Sequence, residues 1–296
     1  MARRLLAEGD VKVMTLTGSP NRPNPFGDRV AVAPFNFDRP DELRKSLEGA
    51  SVLINTYWVR FARGRITHEM AVENTARLFN AARDAGVRKI VHISITSADA
   101  RSPLPYFRGK VVLEERLRDL GVPYAIIRPT VVFSNEDILI NNRAWGLRHF
   151  PVFPIFGKGD YKVQPVHVED VAEIAVNASK APGNQEIDAV GPETFTYEEL
   201  ARLIARHVNR RRGKRALWPP FTWYMHVSPG LGYRMTQIVG WLVRDIVLEP
   251  WEIEGLMGLL VSNSLPTGKT VFSDWLAANA DSIGRRYVSE VKKNHR

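Results

Sequence analysis

The sequence predicts an α/β fold: a parallel sheet with helices on both faces, followed by a smaller C-terminal helical lobe. Three observations carry this. Over residues 1–192 short β-branched runs alternate with amphipathic stretches, the pattern of βα units that stack a sheet between helices. Two Gly-Val pairs, Gly86-Val87 and Gly121-Val122, end helices and lead straight into strands. From Thr196 the alternation stops, so the boundary falls between a sheet domain at 1–192 and a lobe at 193–296.

The predicted strands are Val11–Leu16, Val30–Ala33, Val52–Asn55, Lys89–Ser94, Tyr124–Ile127 and Gln185–Ala189, all but the last short runs rich in Val, Ile or aromatic residues. The predicted helices are Pro40–Leu47, Glu69–Ala85, Gly109–Leu120 and Glu169–Ser179, which show apolar residues at helical spacing. The lobe opens with an amphipathic helix over Tyr197–Arg206. A basic run then leads to an apolar stretch from Leu217 to Val261 that holds Trp218, Trp223, Tyr224, Trp241 and Trp251 and is punctuated by prolines.

With 44% apolar residues, the 296-residue chain can bury a sizeable core. No apolar run approaches the roughly 18 residues of a membrane span, and the opening residues are too short an apolar stretch for a signal peptide, so a cytoplasmic protein is expected. The absence of cysteine excludes disulfides, thiolate catalysis and cysteine-ligated metal sites. The net charge of +9 is concentrated in Arg210-Arg211-Arg212-Gly213-Lys214-Arg215 and in Arg285, Arg286, Lys292, Lys293 and Arg296. These runs lack interleaved aromatics and read as solvated loops and tails rather than a nucleic-acid surface. The Trp-rich stretch reads as core packing or a protein interface ahead of a peripheral membrane contact.

Tyr106 and Lys110 lie four residues apart in Tyr106-Phe107-Arg108-Gly109-Lys110, twelve residues beyond Ser94. On a helix that spacing puts phenol and ammonium on one face, where the positive charge lowers the phenol pKa from its usual value of about 10. A Ser/Tyr/Lys set behind a buried strand suits proton transfer to or from a carbonyl or alcohol during hydride transfer. His167 and Asp170, in Pro165-Val166-His167-Val168-Glu169-Asp170, cross a strand-to-helix junction and read as structural, with Glu169 or Asp170 serving the first helical turn. His68 and His92 each stand alone.

The opening Met1–Gly9 reads as the last turns of a helix ended by Gly9 and feeding a strand. In dinucleotide-binding sheets the preceding piece, about 20 residues, is a central strand and the glycine loop that holds the pyrophosphate. The chain has no Gly-x-Gly-x-x-Gly, so the expectation is a natural start upstream of Met1, with a gap in the sheet where that strand would lie.

Together these segments resemble the atypical short-chain dehydrogenase/reductase superfamily, in particular its NmrA-like branch and the reductase-like accessory subunit of respiratory complex I, without the N-terminal strand and glycine loop. The resemblance runs from the helix-to-strand opening through Phe37-Asp38-Arg39-Pro40, Ile54-Asn55-Thr56, Ser94, the Tyr106–Lys110 motif and Ile127-Arg128-Pro129-Thr130 to Val190-Gly191-Pro192-Glu193. It implies a Rossmann-like sheet. It assigns Tyr106 as acid/base, Lys110 as its modulator and a donor to the nicotinamide ribose, and Ser94 as a group orienting the substrate oxygen, with a strand-end cap as the equal alternative for Ser94. Asp38 would accept from the adenine amino group, or cap the Pro40 helix, or both. Asn55 and Thr56 would lie along the cofactor, and Pro129 and Thr130 at its nicotinamide end.

The turn Leu16-Thr17-Gly18-Ser19-Pro20-Asn21-Arg22 carries no acid to bind the two ribose hydroxyls of NAD(H), so NADP(H) is favoured over NAD(H), with Thr17 and Arg22 on the phosphate side. The implied activity is reduction or oxidation of a small hydrophobic carbonyl or alcohol, held between sheet and lobe against Phe195 and Trp145. The alternative is a non-catalytic NADP(H)-holding accessory subunit or redox sensor, with a protein partner.

Overall fold

The computed structural model describes residues 1–59, 66–97, 99–209, 222–243 and 261–289, together with residues 245, 252, 253, 255 and 257. In chain order the elements are α1 (Ala2–Ala7), β1 (Val13–Thr17), β2 (Val30–Pro34), α2 (Pro40–Leu47), β3 (Val52–Asn55), α3 (His68–Asp84), β4 (Lys89–Ile93), α4 (Pro105–Arg118), β5 (Tyr124–Pro129), β6 (Val131–Phe133), α5 (Leu139–His149), β7 (Val152–Phe156), β8 (Lys162–Val163), β9 (Pro165–His167), α6 (Val168–Lys180), β10 (Gln185–Ala189), β11 (Phe195–Thr196), α7 (Tyr197–Asn209), β12 (Trp223–Val227), α8 (Pro229–Val243) and α9 (Phe272–Asn279). The chain divides into two compact units. One comprises Met1–Pro129 with Val171–Asp188, the other Thr130–Asp170 with Ala189–Arg296.

In the first unit β3, β4 and β5 pair in parallel, with Ile54 opposite Val91 and Val91 opposite Ala125, and β10 completes a four-stranded sheet. Its strands read as nearly continuous apolar runs because both faces are covered: Ile90, Val91, Ala125, Ile126 and Ile127 are inaccessible to solvent. The covering helices contribute Leu43, Leu47, Leu78, Phe79, Leu113 and Leu117 to the same core. Thr67 caps α3 by accepting from the Met70 amide at 3.1 Å. Gly86, at φ +78°, gives the left-handed step between α3 and β4.

Lys89 is buried at the start of β4 and donates to the Ala181 and Gly183 carbonyls at 2.6 and 3.0 Å. It thereby joins β4 to the end of α6, a favourable place for a cation.

Strands β1 and β2 pair only with each other among the described residues, Met14 opposite Ala31. The sheet of the first unit is thus interrupted between β1 and β3, where the sequence places the gap.

The second unit has three two-stranded pairings, β6 with β9 and β7 with β12 in parallel and β8 with β11 antiparallel. Its core gathers Phe133, Phe156, Ile204, Leu200, Phe272 and Leu276. Trp223–Val227, expected within a helical lobe, is a strand. Trp218, Trp251, the basic run 210–215 and residues Lys292, Lys293 and Arg296 lie outside the described residues. No helix among the described residues is long and apolar enough to cross a membrane.

Candidate functional site

The site grows from the carboxyl end of β4. Helix α4 starts at Pro105, four residues earlier than expected, because a proline at the first helical position needs no amide partner and presets φ. Tyr106 and Lys110 therefore share one helix. The Lys110 amine reaches back to donate to the Ile93 carbonyl at 2.9 Å, the last residue of β4. Lys110 is 3% exposed, and burial draws its pKa down to about 7 against the opposing charge of Glu114. At neutral pH this amine stands between its two protonation states.

Ser94 follows directly. Its amide donates to the Ile127 carbonyl at 2.8 Å, while its hydroxyl is buried and has no partner. The backbone thus holds the serine in place, and its Oγ is a buried polar atom without a hydrogen-bond partner.

Aromatic rings wall Tyr106. Trp58 lies edge-on at 5.6 Å and His68 at 5.8 Å, and these two stack on one another at 6.1 Å and 5°. The Trp58 ring also covers the Lys110 amine, with Nζ 4.4 Å from its centroid. Neither Trp58 nor His68 was singled out by the sequence. The available signal was the aromatic pair Tyr57-Trp58 just past a strand end, where ligands gather in parallel sheets.

Asn55, 2% exposed at the end of β3, bonds His92 Nδ1 at 2.9 Å and accepts from the Tyr57 amide at 3.0 Å. His92 is wholly buried, and burial reinforced by the charge of Lys110 holds its pKa well below the ordinary value. It stays neutral. Because Asn55 donates through Nδ2, Nδ1 accepts and the ring proton sits on Nε2, which is buried without a partner.

Below this set a charged group ties α4 to the sheet. Glu114, 4% exposed, accepts from Arg128 at 2.9 and 2.6 Å and from Arg118 at 3.1 Å, and both arginines also meet Glu186 of β10. Hydrogen bonds from Arg118 and then Arg128 pull the Glu186 carboxyl down to about 2, and those that Arg128 donates to Glu114 raise the Arg128 pKa.

The remaining predicted residues lie apart from this cluster. Thr56 is exposed beyond β3. Thr17 ends β1, where its hydroxyl accepts from the Ser19 amide at 3.1 Å; Arg22 sits exposed in the turn that follows. Asp38 is exposed in the turn before α2, and Arg39 holds the N-cap position with no side-chain cap bond. The capping reading of Asp38 is thereby corrected: Pro40 begins the helix, so the cap falls one residue later.

Pro129 closes β5 and accepts from the Thr96 amide at 3.1 Å, whereas Thr130, bonded to the Ala189 carbonyl, begins the second unit. There Trp145 is engaged by His149, Phe150 and Tyr287, and Phe195 by Phe272. Asp170 does not serve the first turn of its own helix. It accepts from the Lys269 and Thr270 amides at 3.0 and 2.9 Å and so pins the 267–270 segment. His167 accepts from the Glu169 amide at 3.4 Å.

A parallel sheet covered by helices on both faces, with polar side chains gathered at its carboxyl edge, is a Rossmann-like architecture. Comparison with known proteins agrees: residues 1–182 match the family described as NAD(P)H-binding, and the chain belongs to it. The mitochondrial NADH dehydrogenase (ubiquinone) 1 alpha subcomplex subunit 9 of Mus musculus is 32% identical over 170 residues, 57% of this chain and 43% of that protein. Its Arabidopsis thaliana counterpart is 28% identical over 214 residues, 69% and 53% of the two chains. The chain spans about half the length of these curated relatives.

Among solved structures, Citrobacter sp. triphenylmethane reductase complexed with NADP(H) aligns at a TM-score of 0.68 and 18% identity over 94% of each chain. An NADPH-dependent quinone oxidoreductase of Escherichia coli complexed with NADPH aligns at 0.67 and 20% over 95% and 93%. These two likenesses establish the shared fold.

The residues present fit the nicotinamide end of a dinucleotide, for which the unpartnered Ser94 hydroxyl and the buried Lys110 amine are suitable polar groups. For the pyrophosphate, the sequence offers no Gly-x-Gly-x-x-Gly cradle.

Proposed function

We propose that this chain binds NADP(H) and acts as an oxidoreductase on a small hydrophobic carbonyl or alcohol, with Tyr106 as acid/base. The observation that carries the reading is Lys110: a buried amine poised near neutral pH, anchored on Ile93 beside an unpaired Ser94 hydroxyl and one helical turn from Tyr106. When bound, the nicotinamide supplies or accepts the hydride. Ser94 donates to the substrate oxygen and fixes its position. Tyr106 gives its phenolic proton to that oxygen as the carbonyl becomes an alcohol, and takes it back in the reverse direction. Lys110 holds the ribose and its charge favours the phenolate, which shortens the proton's path back. The absence of an acid after β1, with Arg22 in the following turn, supports NADP(H) over NAD(H).

In NADPH consumption assays across a carbonyl panel, Tyr106→Phe is expected to lower turnover by about 10²- to 10⁴-fold with little change in NADPH affinity. Unchanged turnover would remove Tyr106 from the acid/base role.

A second reading is favoured by the curated relatives, which are subunits of a respiratory complex: the protein holds NADP(H) as a fixed element for a protein partner and turns nothing over. Stoichiometric NADPH retained through purification, with no consumption on any carbonyl, is the result that selects it.

A further inference from the structure

The strongest unexplained feature of the site is the position of Trp58. Its ring lies 4.4 Å over the Lys110 amine, and Lys110 is 3% exposed although a lysine ordinarily keeps its head in water. The indole fits a notch on α4 that exists because residue 109 is glycine: a Cβ there would stand 2.9 Å from Trp58 Cη2 and 3.0 Å from Val72 Cγ2. His68 stacks on the indole, and Tyr106 meets it edge-on. Yet the indole nitrogen is buried and has no partner, which is a cost the position does not recover locally. The backbone beside it is anchored separately, since the Tyr57 amide donates to Asn55 and its hydroxyl accepts from Asn74. Apolar packing against the core and against its ring neighbours, with no hydrogen bond from the indole nitrogen, therefore holds the side chain down, and the strand end keeps its own bonds whichever way the ring lies.

We infer that Trp58 is a positioning residue for Lys110: in this arrangement its indole covers the amine and keeps it on Ile93, and it must swing aside before the amine can meet a dinucleotide ribose. The inference rests on the NADP(H) reading above. A covered protein binds ligand only in the fraction of molecules whose indole is displaced, so its apparent affinity falls by that fraction. Removing the indole, or crowding it out of its notch, restores access.

The test uses the full chain and three variants, Trp58→Ala, Trp58→Phe and Gly109→Ala. The last retains the tryptophan and replaces a helical glycine by a better helix former, so the fold is preserved while the notch is filled. Each protein is treated with trinitrobenzenesulfonate, labelling of the Lys110 peptide and of the other lysines is followed by mass spectrometry, and NADPH binding is titrated by fluorescence.

Trp58→Ala and Gly109→Ala are expected to label Lys110 about tenfold faster than the parent, with the other lysines unchanged, and to bind NADPH more tightly by the same factor of about ten. Trp58→Phe, which keeps an aromatic face, falls between them and the parent. Lys110 labelling within about twofold of the parent in both variants overturns the cover, as does a rise shared by all lysines. Faster labelling confined to Lys110, with NADPH bound by none of the four proteins, upholds the cover and overturns the dinucleotide reading instead.

Discussion

The two parallel sheets of the first unit carry the residues proposed for opposite ends of the cofactor, and they are packed differently. In the four-stranded sheet Val91 and Ile126 are inaccessible to solvent, and the residues at its carboxyl edge (Asn55, Ser94 and Lys110) are buried and placed by backbone or side-chain bonds. In the β1–β2 pair only Val30 is buried, and Val32 and Met14 are 37% and 40% exposed. The groups assigned to the adenine and phosphate side, Arg22 and Asp38, sit on exposed turns of that pair. The contrast teaches that the groups proposed for proton transfer stand where packing over-determines geometry, while those proposed for the phosphate side stand on exposed turns.

That contrast can be broken from the buried side first. Glu114→Ala leaves Arg128 and Arg118 without their shared buried carboxylate and is expected to cost about 3 kcal/mol in urea unfolding. A loss below 0.5 kcal/mol, the range of ordinary surface changes, would mean that the ionic tie between α4 and the sheet is dispensable.

Lys110→Met sharpens the same side through pH. The folded pKa of Lys110 lies near 7, below its value of 10.5 in the unfolded chain, so between those values the unfolded state holds more protons and stability rises with pH. The advantage of Lys110→Met over the parent is therefore greatest at and below pH 7 and shrinks toward pH 10.5. We expect the gap in unfolding equilibrium constant to close by at least about tenfold across that window; parallel stability curves would show that the amine is not buried.

The smallest effect belongs to the exposed side. Arg22→Ala is expected to weaken NADPH binding about fivefold and leave NADH binding unchanged, since one exposed guanidinium contributes modestly. Equal loss for both cofactors would detach Arg22 from the phosphate.

Much of the first unit was legible in the sequence. Val52–Asn55 and Gln185–Ala189 match their predicted limits, as does Pro40–Leu47, whose proline marks its first helical position. The second unit was less so: β6 and β9 have three residues and β8 and β11 two, too short to show a period of two. Trp223–Val227 lies in a continuous apolar stretch, where periodicity does not separate a buried strand from a helix. Within the site, the Tyr106 and Lys110 spacing was readable because both stand on one helix. Trp58 and His68 were not, because their meeting with Tyr106 depends on how the chain returns from β3 to α3, which no local pattern encodes.

The bare rims of the β1–β2 ribbon have a practical side. A two-strand ribbon that pairs with no further strand among the described residues, and bears Val32 and Met14 on its surface, is a template on which another molecule can add a strand. Such growth depends on concentration rather than on how firmly the four-stranded half is folded. Solubility on storage, and not thermal endurance, is the property this ribbon limits.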